Sequence, residues 1–282
     1  MEPRMNISVI ITVYNLEKYI EDCLNSVLRQ EGVVFEVICV DDVSTDSSFD
    51  ILCDYQKRDA RVKVIRNNRN MGLSSTRNAG FRMAKGEYLY SIDGDDMLEQ
   101  GALKRMYECA KANGLDMLGF SAQSFFESDS YREHAIEDEY LRKADCNSIQ
   151  NGTELFVNLY EKGEPVISNM CLYCIRSEFF NRNNLFDAEG LRYVDDSMFL
   201  KYAKAQRAMC IPDVLYKRRY REGSAVTSPM KKIYLESMLV LFIEEFSYWK
   251  QMENQLENHE NEVISLYFQR RLQEIDSTFH MF

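Results

Sequence analysis

The sequence predicts an α/β fold, a mostly parallel sheet flanked by helices. Three observations carry that prediction. Apolar β-branched runs alternate with amphipathic segments through the first third of the chain. The runs are continuously apolar, as strands covered on both faces must be. Polar and acidic residues follow the runs, at the strand ends where an open α/β sheet binds its ligands. Strands joined through helices imply right-handed crossovers and parallel neighbours.

The elements follow in order. "NISVIITVY" (6–14) reads as the first buried strand. Leu16, Tyr19, Ile20, Cys23, Leu24, Val27 and Leu28 then recur at three- and four-residue steps, the mark of a helix with one apolar face. "FEVICV" (35–40) is the second strand and "SSFDILCDYQKR" (47–58) the second helix. "RVKVI" (61–65), "SSTRNAGFRMAK" (74–85) and "GEYLYSI" (86–92) continue as strand, helix, strand. Beyond Leu115 the rhythm loosens. "DMLGFSAQSFF" (116–126) predicts a strand, 127–150 a polar loop, and "LRYVDDSMFLKYAKA" (191–205) a helix with an acidic start. From Lys231 onward the pattern is helical and charged.

Composition narrows the function classes. The 282 residues are 45% hydrophobic, enough for a sizeable core. A net charge of −11 argues against a nucleic-acid binder that relies on phosphate attraction. The 8 cysteines include several inside apolar runs, such as Cys39 and Cys210, which fits a reduced, cytoplasmic chain. Cys171 and Cys174 lack a second ligand pair at zinc spacing. No signal peptide is expected at the N-terminus, and no apolar stretch is long enough to cross a membrane. The best candidate, "MLVLFIEEF", is broken by Glu244 and Glu245. Core packing or self-association is the expected use of that segment, because its polar positions are acidic.

Chemistry is sought after each strand. The first is followed by Thr12, Tyr14 and Asn15, the second by Asp41 and Asp42, the fourth by "DGDD", Asp93 to Asp96. A dinucleotide site would need a Gly-rich turn after the first strand, yet the first glycine is Gly32. No G-x-x-x-x-G-K-[ST] loop is present either. Carboxylates stand where phosphates usually bind, which makes sense with a hard cation between them. Mg²⁺ or Mn²⁺ binds one or two carboxylates together with a ligand's phosphate oxygens. A solvated Asp-Gly turn would account for "DGDD" alone. Acids at two strand ends together favour a platform for a nucleotide diphosphate.

"SVIITVYNLEKYIEDCLNSVLRQ", "FEVICVDDVSTDSS", "NMGLSSTRNAG" and "GEYLYSIDGDD" together resemble the inverting family 2 glycosyltransferases of GT-A fold. "LRYVDDSMFL" looks like that family's acidic acceptor-side motif, and "VLYKRRYREGSAVTS" like its closing Tyr-Arg-Ser segment. The resemblance covers residues 6 to 227, in order. It implies a GT-A Rossmann-like sheet with a C-terminal helical extension. Residues 1–115 would form the nucleotide-sugar half, 116–227 the acceptor and catalytic-base half, and 228–282 the extension. Thr12 and Tyr14 would line the nucleobase pocket. Asp42 would accept a hydrogen bond from the base, with Asp41 beside it. Asp95 would be the main ligand of Mn²⁺ or Mg²⁺, Asp93 would assist at the ribose or metal, and Asp96 would support the loop. Arg77 would steady the diphosphate or these acids, and Asp196 would be the catalytic base. The implied activity moves a sugar from a nucleotide diphosphate sugar, expected to be UDP-linked, to a saccharide or glycolipid acceptor in surface polysaccharide synthesis. Lipid-linked acceptors in the family imply peripheral association with the inner face of the membrane.

The sequence departs from the pattern at three places. Val43 stands where glycine is usual, so the turn cannot rely on a left-handed glycine. Gly94 replaces a common serine, a change expected to be harmless. Arg218 replaces an aromatic, adding charge to Lys217, Arg219 and Arg221. That cluster reads equally as a solvated strand face or as a site near phosphate or an anionic acceptor carrier. Two other readings compete. A sugar-nucleotide pyrophosphorylase would need a Gly-rich, Arg- and Lys-containing loop after the first strand, and "TVYNLEKY" has none. A non-catalytic nucleotide-sugar-binding module would be expected to lose acids, whereas Asp42, Asp95 and Asp196 are all present.

Overall fold

The computed structural model describes residues 5–134, 140–142, 147–163, 169–192, 197–224 and 232–281. Strand β1 (Ile7–Val13) is buried along its whole length. It pairs in parallel with β2 (Phe35–Asp41) on one side and β4 (Tyr88–Asp93) on the other. β3 (Val62–Arg66) adds in parallel outside β2. Helices α1 (Ile20–Leu28), α2 (Ser48–Arg58) and α3 (Leu73–Met83) make the crossovers. Close approach of α3 to the sheet depends on Gly80, where a Cβ would lie 2.5 Å from Ile10 Cγ2.

The second half turns the sheet antiparallel. β7 (Tyr173–Arg176) pairs antiparallel with β4, and β6 (Met117–Phe126) antiparallel with β7. β8 (Ala208–Tyr220) runs parallel to β6 and carries β5 (Met97–Leu98) at the sheet's edge. The order is β3-β2-β1-β4-β7-β6-β8-β5. Pairing of β6 with β8 slips between Gly119 and Ser121, opposite Pro212. Proline has no N–H to give to the ladder, so the strand bulges there.

Helices α4 (Ala102–Ala112), α5 (Gly152–Glu161), α6 (Ser177–Arg182) and α7 (Phe199–Lys204) intervene, and α8 (Lys232–Met252) and α9 (Asn258–Phe279) follow. An aromatic cluster ties the last helices down. Phe156 lies 5.0 Å from Tyr267 and Phe199 lies 5.1 Å from Phe268, ring centre to ring centre. With Trp249 these rings belong to the same core as β1 and β4. Among the described residues no helix is long and apolar enough to cross a membrane.

Two expectations change. Of the helix expected over 191–205, the described residues form Phe199–Lys204, and 193–196 lie outside the described residues. Tertiary hydrogen bonds take the backbone at 190–192. Ser75 Oγ accepts from Gly190 N at 2.8 Å, Ser74 Oγ from Leu191 N at 2.8 Å, and Ser237 Oγ from Arg192 N at 3.1 Å. The segment 127–150, expected to be a polar loop, includes a short 3₁₀ helix at Asp129–His134 and two buried anchors. Tyr140 O accepts from Ala122 N at 2.9 Å, and Arg142 donates to Tyr173 Oη at 2.6 Å.

Asp187 joins α3 to α7. Its carbonyl accepts from Asn78 Nδ2 at 2.7 Å, and its buried carboxylate lies 3.1 Å from Lys201 Nζ and 3.8 Å from Arg77 Nε. Burial pushes this carboxyl up, but the Lys201 and Arg77 charges outweigh it and hold Asp187 below its ordinary value. A depressed carboxyl adds stability above the unfolded value of about 3.9 and loses it as pH falls through the folded value. Asp187→Asn should therefore cost about 3 kcal/mol at pH 7 by stranding two buried cations. Urea unfolding at pH 7 and pH 3 checks this: the parent should lose part of that increment as pH falls below about 3.9, and the variant should not.

Candidate active site

The ends of β1, β2 and β4 open on one cavity of about 540 Å³. Because β1 lies between the other two strands, Thr12, Asp42 and Asp93 come together from positions far apart in sequence. Tyr14, 49% exposed, lines the same cavity. The loops after β1 and β2 are stitched to one another. Asn15 Oδ1 accepts from Thr45 N at 2.8 Å, Ser48 Oγ from Leu16 N at 2.8 Å, and Asp46 Oδ2 from Glu17 N at 3.0 Å.

The paired aspartates divide their work. Asp41 is fully buried and lies off the cavity, 3.1 Å from Arg66 Nε. Asp42 lines the cavity, and its carboxylate accepts from Asn67 Nδ2 at 2.8 Å, Met71 N at 2.7 Å and Gly72 N at 2.9 Å. It thereby fixes the loop entering α3, leaving only residual acceptor capacity on Oδ2. Val43 adopts the left-handed conformation after all, at φ +64°. A β-branched residue is strained there.

The acid turn after β4 has three environments. Asp93 is desolvated, with Cys171 Sγ 3.2 Å from its Oδ2; burial and then the neighbouring Asp95 charge push its carboxyl up. Asp95 faces the cavity, where Arg221 Nε donates to its Oδ2 at 2.7 Å. Its carbonyl accepts from Arg219 Nε at 2.7 Å. Asp96 accepts from Arg219 N at 2.6 Å and from Tyr216 Oη. Burial, then Asp95 and Asp93, push Asp96 well up. Gly94 leaves room for its neighbours, since a Cβ there would lie 2.8 Å from Leu16 Cδ1.

Arg77 is buried with Asp187 and does not line the cavity, while its charge lowers the Asp93 carboxyl, in keeping with the expectation that it steadies these acids. Asp196 lies outside the described residues, as does Asp195. Cys171, Asn169 and Arg192 were missed by sequence reasoning. "CLYC" drew attention only as an incomplete zinc pair, and nothing in its spacing placed Cys171 beside Asp93.

Among the described residues no group of three or more His, Cys, Asp or Glu is arranged to hold a metal. The donor set still fits a hard cation. Asp95 offers a carboxylate at the cavity, and Mg²⁺ or Mn²⁺ needs only one or two such ligands when phosphate oxygens and water complete the shell.

A model described as glycosyl transferase family 2 matches residues 8–178. The chain belongs to that family. It is 34% identical over 228 residues to the uncharacterized glycosyltransferase EpsJ of Bacillus subtilis (strain 168), a match over 80% of this chain and 64% of EpsJ. The chain thus spans slightly less than two-thirds of EpsJ. It is 44% identical over 116 residues to the poly(ribitol-phosphate) beta-glucosyltransferase of Bacillus spizizenii, 40% of this chain and 18% of that protein. The structure of S. aureus TarS 1-349 in complex with UDP-GlcNAc superposes with a TM-score of 0.73 at 23% identity, covering 95% of this chain and 72% of that one. The fold is that of the GT-A glycosyltransferases.

Strain at Val43 has a measurable consequence. Left-handed geometry costs a non-glycine residue about 1–2 kcal/mol. Val43→Gly should raise stability by about 1 kcal/mol after glycine's larger unfolded-state entropy is deducted. A thermal melt reads the sign, and a lowered melting temperature contradicts the strain.

Proposed function

We propose that this protein is an inverting glycosyltransferase that takes a UDP-linked sugar and transfers it, with a divalent cation, to a saccharide or glycolipid acceptor of a surface polymer. The observation that carries the reading is the convergence of Thr12, Tyr14, Asp42 and the "DGDD" turn on one cavity in a family 2 chain. The UDP-GlcNAc named in the TarS structure supports a uridine donor, and the poly(ribitol-phosphate) enzyme supports a surface polymer as acceptor.

The residues then take these roles. The half-exposed ring of Tyr14 offers a face to a pyrimidine, and Thr12 lies beside it at the cavity wall. Asp42 holds the loop over the base pocket and has one acceptor position left to meet a base N–H. Asp95, with Asp93 nearby, would hold Mg²⁺ or Mn²⁺. Bound there, the cation supplies Lewis-acid stabilisation of charge on the departing diphosphate. Arg221 holds only Oδ2 of that carboxylate, which leaves Oδ1 to meet the cation. Asp196 takes the proton from the acceptor hydroxyl as that oxygen attacks the anomeric carbon opposite the leaving group.

Two variants test the roles separately. Asp95→Asn should fold as the parent does and lose most of its cation-dependent gain in UDP affinity by calorimetry; an unchanged gain would count against Asp95. Asp196→Asn should bind UDP with Mn²⁺ normally, because the acceptor proton moves only in the chemical step. Its turnover, read as UDP release, should fall by roughly 10²–10⁴-fold. Near-parent turnover would mean another group is the base.

A further inference from the structure

The four cations at the end of β8 are not equivalent. Lys217 pairs with Glu99 at 2.9 Å, Arg219 with Asp22 at 2.8 Å, and Arg221 with Asp95 at 2.7 Å. Arg218 has no carboxylate within ion-pairing distance among the described residues. Its guanidinium is held instead against two buried rings, 4.7 Å from the centre of Tyr140 and 5.3 Å from that of Tyr220. Rings fix the position of a guanidinium while leaving its N–H fork free to bond at the edge. Tyr220 is itself stacked on Phe126 at 5.0 Å, so this support is rigid.

Arg218 lines the cavity, and so does Arg192. Arg192 is positioned by its backbone, with N donating to Ser237 Oγ at 3.1 Å. Its side chain lies against Gly72, where a Cβ would stand 3.3 Å from Arg192 Cδ. Arg192 likewise has no carboxylate partner among the described residues. Among the described residues, a chain of net charge −11 thus keeps two guanidinium groups without an ion-pair partner in one cavity. A planar fork without a protein partner matches phosphate, which accepts two N–H bonds at once.

We infer that Arg218 and Arg192 form a subsite for a phosphate group carried by the acceptor, separate from the place of the donor's diphosphate. The inference rests on the glycosyltransferase reading. The donor diphosphate belongs at Asp95, where Arg221 is the nearest cation. That leaves Arg218 and Arg192 for a second anion. Compounds of this class are sugar or polyol phosphates and phosphodiester chains.

Glycerol 3-phosphate is the probe, with glycerol as its uncharged control. Each is titrated calorimetrically into protein saturated with UDP and Mg²⁺, and into UDP-free protein. Glycerol 3-phosphate should bind the UDP-loaded protein, and glycerol should not. Arg218→Gln and Arg192→Gln should each weaken that binding about tenfold or more, as loss of a charge-assisted bond does, with UDP affinity changed less than about threefold. Arg218→Lys, which keeps charge without the fork, should fall between, and melting curves confirm that the variants fold. The inference is overturned if glycerol 3-phosphate binds only UDP-free protein, if the two Gln variants weaken UDP as much as the probe, or if neither alters probe binding. Failure of UDP to bind with metal would strike the donor reading instead. In that event, probe binding to UDP-free protein that survives in both Gln variants overturns the subsite, and its loss supports it.

Discussion

Asp96 holds the two halves of the molecule together where they meet over the cavity. Its N–H closes the acid turn onto Asp93 O at 3.0 Å, while its carboxylate accepts from Arg219 N and Tyr216 Oη on β8. A buried carboxylate costs several kcal/mol unless such donors surround it, so the turn and the end of β8 are stable only together. Everything further out depends on that junction. It brings Arg219 Nε to the Asp95 carbonyl, Arg221 to the Asp95 carboxylate, and Arg218 to the cavity wall.

Charge is distributed by the same logic. An acidic chain gathers several more acids at two strand ends and then tempers each differently. Asp41 meets Arg66, Asp42 meets three loop donors, Asp95 meets Arg221, and Asp93 meets only Cys171 and more distant cations. Desolvation therefore acts most strongly on Asp93 and Asp96, and both are pushed up. Asp95 has one described side-chain partner, an arginine at the cavity that holds a single carboxylate oxygen. Val43 carries strain beside this arrangement, at φ +64° next to the aspartate that organises the loop into α3. Backbone strain of this kind persists where surrounding bonds over-determine the geometry, and Asp41 and Asp42 supply those bonds on the preceding residues.

The distribution of aromatic residues sets which parts of the second half are rigid. Phe156, Phe199, Tyr267 and Phe268 lock α5, α7 and α9 into the core, and Tyr140 and Tyr220 support Arg218. Aromatic pairs in such tilted and edge-on arrangements contribute about 0.5–1.5 kcal/mol each beyond area burial. The C-terminal helices are thus continuous with the packing of the second half of the sheet.

By itself the sequence determined the first four strands and three crossover helices. It also placed acids at two of the strand ends, because periodicity and strand-end chemistry are local properties of the chain. Thr12, Tyr14, Asp42, Asp93 and Asp95 could be named for the cavity they line, since parallel strands must present their carboxyl ends on one side. Tertiary structure alone decided the rest. β5 and β7 are two and four residues long, too short to carry a period, and exist through their pairing with β8, β4 and β6. Residues 191 and 192, expected to open a helix, instead give their backbone N–H groups to serines of α3 and α8. Arg77 was drawn to a buried carboxylate, Asp187, that lies 110 positions away and that no spacing rule could pair with it. Whether an arginine of β8 meets a carboxylate or a pair of rings is likewise settled by partners far along the chain. Hydrogen bonds and ion pairs of that range have no signature in local sequence, and only the folded core brings their partners within reach.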